Sequence, residues 1–222
     1  MSEQGTVLHI DVYSDVICPW CYVGKRRLER ALAHVKDGLN LRITWRPFQL
    51  NPAMPNEGMN RTAYLEAKFG SVDAFRGMEE HVRAAGDGEQ ISFAFEKIAR
   101  TPNTFAAHRL IWHAAQRGCQ NEMVDQLFKG YFEEGADIGS IPTLVRLAAQ
   151  AGLTVEPFLR SDEGIAEVKA EEAAGHRLGI RGVPYFVLNQ AQGISGAQPA
   201  EVLAAAMERA CGQQEAGSAG RR

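Results

Sequence analysis

A Cys-x-x-Cys pair placed where a strand gives way to a helix constrains this chain more than any other feature. Residues 7–13, Val7-Leu8-His9-Ile10-Asp11-Val12-Tyr13, form a short run rich in β-branched and aromatic types and predict a buried strand. Ser14 and Asp15 break the run, and Cys18-Pro19-Trp20-Cys21 follows. From Tyr22 to Val35 the apolar residues Val23, Leu28, Leu32 and Val35 recur near helical spacing, with Lys25, Arg26, Arg27, Glu29 and Arg30 between them. This predicts an amphipathic helix that begins at the cysteines, accepts Pro19 in its first turn and ends at Asp37-Gly38. At a helix start, unpaired backbone N–H groups and the positive end of the macrodipole favour an anion. Cys18 feels this most, so its thiol should ionise more readily than a free cysteine of pKa about 8.5. A thiolate is the species that attacks a disulfide, and Cys21, one turn inward, can attack the resulting mixed disulfide and release the product. Cys18 is therefore the candidate nucleophile and Cys21 the candidate resolving residue. The intervening Pro19-Trp20 stiffens the turn and helps set the balance of dithiol and disulfide.

The competing reading of such a pair is half of a zinc site, which needs two more ligands. The chain offers no second Cys-x-x-Cys, and His108 and His113 lie far along it. No metal is expected. The other two cysteines, Cys119 and Cys211, stand alone. Either is a candidate extra resolving thiol, Cys119 as a buried thiol after Gly118 and Cys211 as an exposed one near the tail.

Composition narrows the setting. The 222 residues carry 24 Lys+Arg against 27 Asp+Glu, a net charge of −3, so the basic excess of a nucleic-acid binder is missing. No apolar run reaches the 18 residues of a membrane span. Met1-Ser2-Glu3-Gln4-Gly5 has neither a basic nor an apolar leader segment, which points to the cytoplasm, where structural disulfides are rare.

Leu39, Leu41, Ile43 and Trp45 alternate with polar residues and predict a half-buried second strand, followed by a Pro/Asn loop from Pro47 to Pro55. Helical periods then occupy 61–69, 71–85, 103–117, 120–133, 140–151 and 161–178, with a weak strand candidate at Ile91–Phe95. Asn103 or Thr104 would cap the third of these helices, and Ser140 or Thr143 the fifth. Strand composition returns at Gly182–Leu188 and Gly193–Gly196. A last helix spans 199–211 with Pro199 near its first turn, and Gly212–Arg222 has nothing to bury and should fray. The order is strand, helix, strand, helical block, two strands, helix. The outer pieces can share one sheet, with the first two strands parallel across their crossover helix.

The proline of Gly182-Val183-Pro184 opens a strand without an N–H to donate, which suits an edge or bend. A cis Val183–Pro184 bond there would present the Val183 backbone to an extended peptide.

Ser14–Lys25 with Cys18-Pro19-Trp20-Cys21, Asn103-Thr104 with Ala107-His108-Arg109, Gly179–Phe186 and Ile194–Gln198 together resemble the DsbA-like thioredoxin superfamily, specifically its FrnE-type branch. The resemblance implies an α/β thioredoxin fold with a large all-helical insertion: residues 1–55 and 176–222 as a discontinuous thioredoxin-like domain, 56–175 as the inserted helical domain. It also implies thiol–disulfide oxidoreductase or isomerase activity, with Pro184 as the cis-proline, and Pro19, Trp20, Val183 and Pro184 as substrate contacts. Partners would be protein, peptide or small-molecule thiols and disulfides, without nucleic acid or membrane, and a homodimer is left open. No cofactor need be bound beyond the redox-active disulfide, with glutathione admitted as a co-substrate. Periplasmic members carry histidine at the position of Trp20 and a secretion signal, so strong oxidising power is not implied. Two alternatives remain. One is a glutathione-dependent small-molecule transferase or isomerase of the kappa-class type, whose members generally carry serine at the first cysteine. The other is a binding module in which the pair only reports redox state.

Three further expectations concern the surroundings. Asp11, a carboxylate in a buried strand, is a candidate proton relay for Cys21, with Asp15 a second possibility. His108 and Trp112 fall on one helix face and are expected to look across a cleft at the cysteines or to pack between helices. Lys25, Arg26 and Arg27 form either a lure for acidic substrates or a solvated helix face.

Overall fold

The computed structural model describes residues 7–35 and 40–219. Strand β1 (Val7–Ser14) leads into helix α1 (Pro19–His34), and strand β2 (Asn40–Pro47) returns parallel to β1 in the register Val7↔Asn40 to Ser14↔Pro47. The helix stop expected at Asp37-Gly38 and the strand residue Leu39 lie outside the described residues. A helical stretch follows: α2 (Arg61–Phe69), α3 (Val72–Asp87), α4 (Phe105–Ala115), α5 (Gln120–Phe132), α6 (Ile141–Gln150), α7 (Glu156–Leu159) and α8 (Ile165–Arg177). Two-residue strands β3 (Met59–Asn60) and β4 (Arg100–Thr101) pair within it. The chain then re-enters the sheet as β5 (Tyr185–Leu188) and β6 (Gln192–Ser195) and closes with α9 (Ala200–Ala219). The main sheet runs β2-β1-β5-β6, with β5 antiparallel to both neighbours. A βαβ half and a ββα half thus share one sheet, the architecture the resemblance implies.

Strand alternation divides the core. Leu8, Ile10 and Val12 project to one face and pack with Leu28 and Ala31 of α1 and Leu203, Ala206 and Met207 of α9. Tyr13 projects to the other, against Phe48, Ile180 and Val187. There α8 comes so close that a Cβ on Gly175 would sit 2.7 Å from the Tyr13 ring, so only glycine fits. The first apolar cluster runs without a break into the helical block. Tyr22, next to Cys21, stacks on Phe128 of α5 with ring centroids 5.0 Å apart and meets Phe93 edge-on, while its hydroxyl donates to Glu133 at 2.7 Å. The start of α1 is thereby fixed to both parts of the molecule.

Several local expectations change. Ile91–Phe95 is not a strand: Phe93 and Phe95 enter the aromatic cluster around Phe132, the Ala94 N–H bonds to the Phe132 carbonyl, and no strand among the described residues pairs with it. Thr104 and Ser140 occupy the caps of α4 and α6 without side-chain cap bonds, while Asn103 accepts from the Phe105 N–H at 2.9 Å. Pro199 stands just before α9, its carbonyl accepting from Val202 and Leu203. The helix passes the expected stop at Cys211 and continues to Ala219, as its Gln, Glu and Ala residues permit.

Candidate active site

Cys18 is the N-cap of α1, in an extended conformation (φ −91°, ψ 111°), and its carbonyl accepts from the Cys21 and Tyr22 N–H groups. Pro19 follows at a position where a missing N–H costs nothing. The Cys18 N–H is tied to the Asp15 carbonyl at 3.0 Å. Both cysteines are thiols, but their surroundings differ: Cys18 keeps 6% exposure and Cys21 none. The Cys18 Sγ lies 3.5 Å from the Val183 carbonyl, to which it donates, and the Val183–Pro184 bond is cis. The Pro184 carbonyl in turn accepts from the Gly196 N–H at 2.9 Å, which fastens this loop to the end of β6.

Gly24 sets how near α1 and the proline loop approach, because a Cβ there would lie 2.9 Å from Pro184 Cγ. Gly24→Val should therefore displace Pro184, cost about 1–3 kcal/mol and slow reaction at Cys18. Chemical denaturation and the rate of Cys18 alkylation or exchange check this; a variant equal to wild type in both would show that the loop is not held by this contact.

Burial pushes the Cys21 thiol well above its ordinary value, and the Cys18 sulfur pushes it further. The nearby Ser14 hydroxyl and Asp15 backbone act in the opposite sense. Cys21 thus holds its proton in the dithiol state. A raised native value stabilises the fold below the unfolded value and is lost as pH rises. Above the free-cysteine value of about 8.5, the unfolded thiol ionises while the native one keeps its proton. Wild-type stability in the reduced state should then fall more steeply with pH than that of Cys21→Ser, by up to about 1.4 kcal/mol per pH unit. Tyr131, pushed up to about 12 by burial, adds a common slope above pH 10 to both proteins. Urea unfolding between pH 8 and 10 measures the difference, and parallel curves would contradict it.

Asp15, unlike Asp11, belongs to the turn that carries the cysteines, its carbonyl accepting from the Cys18 N–H. Asp15 is fully buried; its Oδ2 accepts from the Leu50 N–H at 2.7 Å and its Oδ1 lies 3.4 Å from His108 Nε2. Both of those last atoms lack another hydrogen-bond partner among the described residues. Asp11 shares the face of β1 with Tyr13, opposite the α1 side, where Arg46 donates to it at 2.7 Å. The relay expected of Asp11 does not form, because strand alternation turns it away from Cys21.

The basic run is also spoken for. Lys25 is buried, paired with Glu29 and, at 3.1 Å, with Asp125; Arg26 pairs with Glu29 and Asp125, and Arg27 with Glu89. Neither a lure for substrates nor a solvated face describes it. His108 joins the site through Asp15, whereas Trp112 stacks toward Phe158 and covers Gly164. Cys119 is half-buried, its thiol 3.7 Å from the Ala114 carbonyl, and Cys211 is buried rather than exposed. Trp20 is exposed at the rim of an apolar cavity of about 170 Å³, whose wall includes Ile17, Pro19, Leu50 and residues of α2 and α3. Ser14 and Gly24 fall inside the motif segment Ser14–Lys25 without being singled out there, and the α2 and α3 side of this wall was not signalled by any local motif.

With this geometry in place, the similarity to known proteins is decisive. The DsbA-like thioredoxin domain family matches residues 9–208. The chain belongs to that family. Among solved structures, a probable DsbA oxidoreductase from Streptomyces coelicolor superposes with a TM-score of 0.83 at 35% identity, covering 92% of this chain and 90% of that one. The uncharacterized Bacillus subtilis protein YwbO is 27% identical over 185 residues, 82% of this chain and 86% of YwbO. The cytosolic disulfide reductase DsbM from Pseudomonas aeruginosa, solved with GSH, shares the fold at 18% identity and a TM-score of 0.60, covering 95% and 98% of the two chains. The DsbA-like family supports an oxidoreductase. Among the described residues no helix is long and apolar enough to cross a membrane, and no cluster of His, Cys, Asp and Glu is arranged to hold a metal ion.

Proposed function

We propose that this DsbA-like protein is a thiol–disulfide oxidoreductase that exchanges disulfides with protein, peptide or small-molecule thiols through Cys18 and Cys21. The observation that carries the reading is the pairing of an N-cap Cys18, 3.5 Å from the Val183 carbonyl beside cis-Pro184, with a Cys21 buried behind it. In the reducing direction the Cys18 thiolate attacks a substrate disulfide, forming a mixed disulfide and expelling one substrate thiolate. Cys21 then attacks the Cys18 sulfur and expels the second. Two electrons have moved to the substrate, each departing thiolate takes up a proton, and the protein is left with a Cys18–Cys21 disulfide. The reverse sequence oxidises a dithiol. Pro19, Trp20, Val183 and Pro184 border the sulfur and are the contacts available to a substrate.

Glutathione as the thiol that resets the pair, and a cytoplasmic setting, are favoured by the likeness to DsbM with GSH. The test is equilibration in glutathione buffers of graded poise, followed by alkylation and mass measurement. Cys18 and Cys21 should oxidise together in one two-electron step, with insulin or a small disulfide reduced faster than by the thiol buffer alone. Failure of the two cysteines to bridge at any poise would remove the reading.

A further inference from the structure

The apolar cavity beside Trp20 has a composition that speaks to what reacts at Cys18. Its wall carries the rings of Phe69, Phe75 and Phe95, and Met78, like Trp20, lines it while remaining exposed. A cavity of about 150 Å³ lined by apolar residues holds a benzene ring, so the volume of about 170 Å³ here takes one aromatic ring of a ligand. Two cations line the same space. Arg61 lies 5.3 Å over the Phe75 ring, and its side chain donates, at long range, to the Thr101 and Tyr131 hydroxyls. Lys68 lies over the Tyr64 and Phe69 rings and donates to the Tyr64 hydroxyl and the Asn51 carbonyl oxygen. All these acceptors are neutral. The carboxylate that also borders the cavity, Glu79, is engaged by Arg83 at 2.9 Å. On α1, by contrast, Lys25, Arg26, Arg27 and Arg30 each meet a carboxylate.

Two cations of α2 left with neutral partners around an aromatic cage, in a cavity that Ile17, Pro19 and Trp20 beside the reactive sulfur also line, are complementary to an anion with a flat apolar body. Resting on the oxidoreductase reading above, we propose that the substrate is a small aromatic thiol or disulfide bearing a carboxylate, its ring in the cavity beside Trp20 and its carboxylate on Arg61 and Lys68. An unfolded polypeptide, which needs a long open track, is disfavoured by a one-ring enclosure. The chemistry is the exchange already written: the aromatic disulfide takes two electrons and leaves as two thiols, and the protein is left with its Cys18–Cys21 disulfide.

The test compares 4,4′-dithiodibenzoate with the corresponding bis-amide, each reacting once with the dithiol protein. Each rate is divided by that of free dithiothreitol with the same disulfide, which removes intrinsic reactivity. The normalised rate should favour the dicarboxylate at least about tenfold, a difference of about 1.4 kcal/mol. The preference should fall to within about twofold in Arg61→Gln/Lys68→Gln, and fall likewise in Lys68→Glu, where the exposed side chain rules out misfolding as the cause. Equal normalised rates in the wild type, an undiminished preference in both variants, or a faster normalised reaction with scrambled ribonuclease would each overturn the proposal. Binding is read separately by calorimetry with unreactive 4-(methylthio)benzoate on Cys18→Ser/Cys21→Ser. Its affinity should drop about tenfold on adding Lys68→Gln, and no binding at millimolar ligand overturns the pocket. Binding without exchange of either disulfide would sink the redox reading and leave the pocket standing.

Discussion

Cys18→Ser is expected to lose disulfide exchange by a factor on the order of 10³ or more, the scale of loss when a nucleophile is removed. Cys21→Ser is expected to behave differently, reacting once and then stalling. The reason is positional: Cys18 stands at the open start of α1 with its sulfur against the Val183 carbonyl, while Cys21 is sealed beneath it. A substrate reaches the first sulfur only, and with the second gone nothing within the protein can displace the bound half. Intact mass of Cys21→Ser after exposure to an excess of disulfide should show one substrate adduct per chain, mapped by proteolysis to Cys18. An adduct mapped to Cys21 in the wild type, or unimpaired turnover of either variant, would reverse the assignment of roles.

Asp15→Ala should produce the largest loss of stability of any change near the site, about 3 kcal/mol. It strands the Leu50 N–H, which the carboxylate accepts at 2.7 Å, and leaves His108 Nε2 without its neighbour in a place closed to water. For a chain of this size that amounts to a fall in melting temperature of roughly 6–12 °C. Asp15→Asn keeps an oxygen for Leu50 and should lose about half as much. Because the Asp15 backbone also holds the Cys18 and Cys21 ends of the turn, the Ala variant should react more slowly at Cys18 even at temperatures where it is folded. Calorimetry of the two variants decides the matter, and an Ala variant within 1 kcal/mol of wild type would show that the buried pair contributes little.

What the chain discloses before folding depends on range. Period and composition act within one element, so α2 at Arg61–Phe69 and the strand-to-helix step at the cysteines could be placed from residues alone. Elements of two to four residues, such as β3, β4 and α7, are too short to show a period. Facing is harder. Parity puts Asp11 with His9 and Tyr13, but nothing local says which side of β1 the helix α1 will cover. Lys25 was legible in part: it lies four residues after Cys21, hence on the inward stripe, yet its partner Asp125 comes from α5, a hundred positions on. His108 and the cavity wall reach the cysteines by tertiary packing across similar separations, which no spacing rule encodes.

The place of β1 in the sheet has a consequence for synthesis of the chain. It lies between β2, made almost at once, and β5, whose Phe186 pairs with Val12 roughly 170 residues later. At about 5–20 residues per second, the emerging polypeptide waits some 10–35 s with one side of its first strand bare. During that interval the twin sulfurs are already outside the ribosome and lack the loop that will border them, so a nascent chain is the form most open to stray oxidation and to chaperone capture.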